Sequence, residues 1–485
     1  MATHVMAPVD AAWYHMDGPV NFALVTAILL TGKPLDFEKV SAVYRQRLAR
    51  FGRFRQRVVE KGFPIATPRW EDMPDFDIGQ QIHHIALPEP RDHAALVGLI
   101  SDLASTPLDR ERPLWQVHVV DGVDGGSALI MRIHHCIGDG TAAMALCGEL
   151  FDATPDAPAA AGATAGRGSR RASASIGPWF APALAAVEKS ARGTLATVEA
   201  ALDTVRNPQP LIGKAALVLD GAGMLLAELL KRPDPASPLK GRFGLQKRVA
   251  WSAPVALSDI KAIGMPSGAK INDVLVAGMT GALRAYLRKR GVDVKHTTVR
   301  AMVPVDLRPP GRGLELGNEF GLVILELAVQ SREAFERLRL TKARMDALKR
   351  SPEAVAIMAL FNLFGRAPKA VEDFAVDLFG SKASVVMTNV AGPQQALYLA
   401  GVPIDRFTFW VPHPGRQLGM GISILSYMGH ATLAVIADAG LVPDPEAITA
   451  GFNREFARML KAVRRARTRA APTLPRGRPV RAKGH

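Results

Sequence analysis

Between Thr154 and Ser175 the chain consists almost wholly of Ala, Gly, Ser, Pro and Arg. Such a stretch has too few large apolar side chains to bury, so it is expected to be a flexible linker dividing the chain into two folding halves. Each half alternates strand-like and helix-like patterns. In the first, Phe22–Leu30 reads as a buried strand and Asp36–Leu48 as an amphipathic helix opened by an acidic residue. Asp92–Leu103 reads as another helix. Leu114–Val120 and Ala128–Ile133 form a predicted hairpin across the turn residues 121–126, and a helix follows over Thr141–Leu150.

After the linker, Trp179–Arg206 looks helical, apolar helical material continues to about Leu230, and Pro233, Pro235 and Pro238 close the region. Strands are then predicted at Val249–Val255, Thr297–Val303, Phe320–Val329, Ser384–Met387, Met420–Tyr427 and Ala431–Ala437. Helices are predicted over Asp273–Arg288, capped by Asn272 or the preceding turn, and over Arg332–Lys349, Glu353–Phe364 and Pro445–Val463. The expected architecture is mixed α/β. It has an N-terminal lobe over 1–153, a linker and helical connector over 154–245, a C-terminal lobe over 246–465 and a basic disordered tail over 466–485.

A chain of 485 residues that is 48% hydrophobic has material for a substantial core, which excludes a disulfide-stapled miniprotein, a collagen-like fibre and a wholly disordered chain. Its two cysteines, Cys136 and Cys147, stand in apolar surroundings and read as small buried hydrophobes, a usage suited to the cytoplasm. The net charge is +15, but Lys461–His485 holds nine basic residues and no acid, leaving +6 for the rest. Such a tail attracts polyanions, among them an anionic lipid surface. Zinc-finger spacings and basic-aromatic interleaving are absent, which argues against nucleic acid as a partner. No secretory signal or uninterrupted membrane span is read, so any membrane contact is expected to be peripheral.

The sharpest motif is His134-His135-Cys136-Ile137-Gly138-Asp139-Gly140, placed where a strand ends and a helix begins. A histidine there can take a proton from an attacking group near neutral pH, and the glycines permit tight backbone turns. From spacing alone three readings stay open: catalysis, a structural histidine pair, or half of a metal site. Adjacent strand residues point to opposite faces, so both rings seldom serve one ion. Gly-x-Ser-x-Gly, Gly-x-Gly-x-x-Gly and a P-loop are absent, which leaves direct group transfer by histidine.

His134-His135-x-x-x-Asp139-Gly140 resembles the HHxxxDG motif of the wax ester synthase/acyl-CoA:diacylglycerol acyltransferase family. That family lies in the superfamily of CoA-dependent acyltransferases and peptide-synthetase condensation domains. Further segments match in order: Pro8-Val-Asp10, Pro113-Leu-Trp115, Asn272-Asp273, Pro304-Val305 to Arg308, Leu316-Gly-Asn318 and Asn389-Val-Ala-Gly-Pro393. The departures are Gln116, where many members carry an acid, Thr388 for a common serine, Ala391 for a frequent proline, and Lys270 before the Asn-Asp pair.

The resemblance implies two chloramphenicol-acetyltransferase-like lobes around a central tunnel. It also implies transfer of a long-chain acyl group from acyl-CoA to the hydroxyl of diacylglycerol or a fatty alcohol, without a covalent acyl-enzyme. By it, His135 is the general base, His134 supports geometry, and Asp139 is a structural acid for which Arg308 is the candidate partner. Gly140, Asn272 and Asn389 are candidates for supporting the oxyanion; no metal and no cofactor beyond the acyl-CoA co-substrate is expected. The implied location is the cytoplasmic side of the inner membrane or lipid inclusions, with Trp179–Leu202 or Glu353–Phe364 as a candidate apolar docking surface. Other expectations within reach are a superfamily acyltransferase using a polyketide diol or a carrier-protein thioester, and a non-catalytic lipid-body protein.

Overall fold

The computed structural model describes residues 3–60, 68–156, 233–308, 316–349, 376–377, 380–413 and 417–470. Most of the linker, the segments Trp179–Arg206 and Glu353–Phe364, the apolar run to Leu230 and the last fifteen residues of the tail lie outside them.

The first half runs β1 (Thr3–Val5), α1 (Pro8–His15), β2 (Leu24–Thr31), α2 (Phe37–Val43), β3 (Gln56–Val59), β4 (Arg69–Asp72), β5 (Ile82–Ala86), α3 (His93–Ala104), β6 (Trp115–Val123), β7 (Gly126–His134) and α4 (Gly140–Leu150). The second half runs β8 (Lys247–Trp251), β9 (Val255–Ala256), α5 (Leu257–Gly264), α6 (Ile271–Lys289), β10 (Val299–Asp306), β11 (Phe320–Leu327) and α7 (Ala334–Leu348). It continues with β12 (Val385–Ala391), β13 (Tyr398–Leu399), β14 (Val402–Pro403), β15 (Arg406–Trp410), β16 (Met420–Tyr427), β17 (His430–Asp438) and α8 (Glu446–Ala470).

The expected hairpin is β6 and β7, paired antiparallel from Trp115–Ile133 to Val123–Gly126. The helix starts follow ordinary capping chemistry: Asp36, Asp92 and Asp139 each accept hydrogen bonds from backbone N–H groups of the first turn. Two helix readings differ in detail. The helix expected over Asp36–Leu48 leaves α geometry at Val43 and widens to a π-turn over Tyr44–Leu48. That turn carries Arg47 inward, where it meets Asp152 at 2.9 Å and the Leu150 carbonyl at 2.8 Å. At α6, of the two expected caps it is the preceding turn and not Asn272 that serves: Lys270 is the cap position, and Asp273 reaches back to accept the Lys270 N–H at 2.9 Å.

The strands build a five-stranded sheet in the order β15-β2-β7-β6-β5 and a seven-stranded sheet in the order β11-β10-β12-β16-β17-β8, with β9 also on β17. β15 belongs by sequence to the second half, yet it pairs with β2 of the first. This exchange ties the lobes together. Behind it lies a core drawn from both: Ile28, Val120, Ile130, Leu96 and Ile100 pack with Val249, Trp410, Ala434 and Ile436. Trp410 is fully buried and donates its indole N–H to the Ala250 carbonyl at 3.2 Å.

Because Trp410 fills the shared core, Trp410→Ala is expected to lower the unfolding free energy by about 3–5 kcal/mol in urea titration. Near-ultraviolet and far-ultraviolet signals should still change in one transition, since neither sheet keeps its packing without the other.

Candidate active site

Residue alternation on β7 decides which side chains can meet a substrate. Met131 and Ile133 line a cavity of about 190 Å³ between the lobes, and His135, next in the same alternation, joins them. Val25 and Ala27 from β2, Phe407 and Phe409 from β15, and Met302, Leu322 and Val386 from the seven-stranded sheet complete a largely apolar wall. His134 has the opposite orientation. Its ring is buried away from the cavity, with Nδ1 accepting the Cys136 N–H at 3.2 Å and Nε2 lying 3.2 Å from Asp17. The two histidines therefore cannot share one ion, and among the described residues no group of three potential ligands could hold a metal.

The His135 backbone N–H donates to Ala23 at 2.8 Å, and the ring stacks on Trp13 with centroids 3.9 Å apart. Its Nδ1 lies 2.9 Å from Asn318 Oδ1. The orientation of that amide is determined by what else it touches. Asn318 Nδ2 reaches Asp10 Oδ1 at 2.9 Å and the His135 carbonyl at 2.8 Å, and both of those are acceptors. Nδ2 must face them, so Oδ1 faces the imidazole and His135 carries its proton on Nδ1. Nε2 is left with the lone pair. Burial pushes this imidazole down to about 4, against the opposing pull of Asp139 and Asn318, so the ring is neutral and basic at Nε2 near neutrality.

Asp10 is itself held by Arg53 at 2.9 Å, and the same guanidinium donates to the Ile137 carbonyl at 2.9 Å. α1 is thereby fastened to the turn that follows His135. Neither Asp10, Asn318, Arg53 nor Trp13 stood out as a functional residue in the chain. The Pro8-Val-Asp10 and Leu316-Gly-Asn318 matches marked two of their positions, but a contact spanning more than 300 residues leaves no local pattern.

Asp139 caps α4 by accepting from Thr141 and Ala142, each at 3.1 Å, and it takes Arg308 Nη1 on both oxygens at 2.8 and 2.6 Å. Arg308 Nη2 also donates to the Gly317 carbonyl at 2.8 Å, and the Glu319 N–H reaches Asp139 at 3.0 Å. The expected Asp139–Arg308 pair is therefore formed, and it is a bolt between lobes. Gly138 and Gly317 make a β-bridge here, where a Cβ on Gly138 would stand 2.9 Å from Ala142 Cβ and Gly317 sits at φ +120°.

Gly140 opens α4 at the cavity wall, facing Val390, and its N–H is left uncapped by Asp139. Asn389 on β12 also lines the cavity and donates to Asn272 Oδ1 at the start of α6. The structure thus brings His135, Asp139, Gly140 and Asn389 to one cavity, with Arg308 behind Asp139, Asn272 behind Asn389, and His134 on the far face.

Residues 6–275 match the family model of the wax ester synthase/diacylglycerol acyltransferase catalytic domain, and residues 316–460 match the WS/DGAT C-terminal domain. A probable diacylglycerol O-acyltransferase of Mycobacterium tuberculosis is 28% identical over 456 residues, covering 93% of this chain and 94% of that one. Among solved structures, the wax ester synthase/diacylglycerol acyltransferase of Marinobacter aquaeolei superposes with TM-score 0.64 at 20% identity, covering 95% of this chain and 100% of that chain. The first condensation domain of the calcium-dependent antibiotic synthetase gives 0.59 at 15%, covering 95% of this chain and 96% of the other.

Removing one partner of a buried ion pair costs about 3–5 kcal/mol. Arg308→Met and Asp139→Asn are each expected to lose about that much in urea unfolding. The double variant should lose clearly less than the sum, because the two changes remove one shared contact.

Proposed function

This chain belongs to the wax ester synthase/diacylglycerol acyltransferase family, and from that premise we propose that it moves a long-chain acyl group from acyl-CoA to the hydroxyl of diacylglycerol, of a long-chain fatty alcohol, or of both. The observation that carries the reading is that His135 lines an apolar cavity while the Asn318–Asp10 pair holds its proton on Nδ1, leaving Nε2 unprotonated. In the proposed step Nε2 takes the proton from the acceptor hydroxyl as its oxygen attacks the thioester carbonyl. Collapse of the tetrahedral intermediate expels CoA thiolate, which recovers the proton from the imidazolium. Positioned proton transfer of this kind supplies about 10²–10⁴-fold in rate.

The developing oxyanion needs donors, and the uncapped Gly140 N–H at the positive end of α4 and the Asn389 amide are the ones assigned to it. Arg308 is not given that task, because its donors are spent on Asp139 and Gly317. The absence of an acyl-enzyme is supported by the state of the cavity's own nucleophiles. Burial pushes the Cys147 thiol up to about 12, and Thr141 donates its hydroxyl to Asp306 at 2.9 Å. No cofactor is required beyond the co-substrate.

The cavity wall of Phe, Leu, Val and Met suits an alkyl chain. Among the described residues no helix is long and apolar enough to cross a membrane. The lipid acceptor is therefore proposed to be met peripherally, at the inner membrane or a lipid inclusion, with the exposed Arg458 and Lys461 of α8 and the basic tail adding electrostatic attraction.

His135→Ala should cut ester formation from palmitoyl-CoA by at least about 10²-fold while leaving the unfolding transition in place. Thin-layer analysis with diacylglycerol and hexadecanol offered together reads the acceptor, and free CoA release excludes a carrier-protein donor. Wild-type turnover in the variant would overturn the assignment.

The depressed imidazole also sets a pH signature. It binds its proton only in acid, so kcat/KM should stay level from pH 8 to about 5 and fall below that. A bend near the ordinary histidine value of about 6.5 would show that the ring is not desolvated as described.

A further inference from the structure

Arg132 lies on β7 two residues before His134, on the sheet face turned away from the cavity. The register sets Thr26 of β2 and Gln116 of β6 directly beside it. His118 is next along the same face of β6, opposite His83 of β5. The Arg132 side chain is 1% exposed. Nη1 donates to Gln116 Oε1 at 2.8 Å and Nη2 to the Thr106 carbonyl, so both partners are neutral. Burial alone acts on its ionisation, with no carboxylate in reach among the described residues. Among the described residues, Arg132 Nε, Thr26 Oγ1 and His118 Nδ1 are buried and have no hydrogen-bond partner.

A guanidinium keeps its charge in a protein, and a buried charge with no counter-charge is strongly unfavourable. Polar atoms left unpaired on the same face add to that cost. A negative ion beside the guanidinium would supply the missing counter-charge. We propose that this face of the five-stranded sheet holds a small inorganic anion, bound by Arg132 Nε with the Thr26 hydroxyl and the His118 Nδ1–H as neutral donors. The half-buried His83, stacked on His118 with centroids 4.8 Å apart, links the cluster to solvent, and Arg112 lies close enough to add positive potential along that approach. An ion there would brace β7, the strand that ends at the catalytic-motif histidines.

The test needs no activity readout. Thermal unfolding of the full chain is followed as chloride or inorganic phosphate replaces gluconate at constant ionic strength and pH 7. The wild-type Tm is expected to rise by about 2–4 °C along a saturating curve with at least one of the two anions. Gln116→Glu supplies a carboxylate from within the chain, so it should start at the raised Tm and ignore added anion. Arg132→Met should also ignore it. Bromide soaked into crystals should give an anomalous peak beside Arg132 Nε in the wild type and none in Gln116→Glu. A wild-type Tm indifferent to both anions, a linear rise shared by all three proteins, or a Gln116→Glu variant with the full response would overturn the proposal.

Discussion

Arg308 brings a permanent positive charge into the seam between two lobes, and Asp139 neutralises it there through both carboxylate oxygens. The same carboxylate caps α4 and receives the Glu319 N–H, so one acid fixes the start of the helix beside the cavity and the strand entry of β11. Much of the geometry at His135 follows from that junction. Gly317 accepts from Arg308 and from the Asp139 N–H, and the next residue is Asn318, the partner of the imidazole. A charge pair worth little at the surface is decisive here, because neither member can return to water without opening the seam.

The imidazole's chemistry is set one layer further out. Asn318 could present either end of its amide to His135, and only the demands of Asp10 and the His135 carbonyl, both acceptors, turn the oxygen inward. Asp10 is buried, which pushes its carboxyl up, while Arg53 and Asn318 hold it towards the charged form. The chain of command runs from Arg53 to Asp10 to Asn318 to Nδ1, and its result is a lone pair on Nε2. Desolvation keeps that lone pair free of a proton near neutrality, at the cost of a weaker base than an ordinary histidine.

Local periodicity revealed what local periodicity can carry. The strands β2, β6, β7, β16 and β17 and the helix α6 were legible because their apolar residues recur within each element. The turn after β7 was legible as a site because its residue types are rare together. No strand is expected at β15, whose place beside β2 depends on a partner about 380 residues earlier in the chain. The role of Asn318 was invisible for the same reason, although its motif position was marked. In the sequence Gln116 is only a departure from the family's acid; its place against the buried Arg132 is set by the register of β6 on β7.

β7 also shows why this site tolerates so little drift. One face of the strand carries Met131, Ile133 and the line leading to His135, while the other carries Arg132 and His134. A slip of one residue would exchange the faces, turning a guanidinium into the apolar cavity and the His135 ring into the scaffold. The strand end is accordingly held from both sides: His134 N–H on the Leu114 carbonyl at 2.9 Å, and His135 N–H on the Ala23 carbonyl at 2.8 Å. Those two backbone bonds separate two neighbouring imidazoles of the same chemistry into opposite environments. One is packed against Asp17, and the other is left with a bare nitrogen in an apolar chamber.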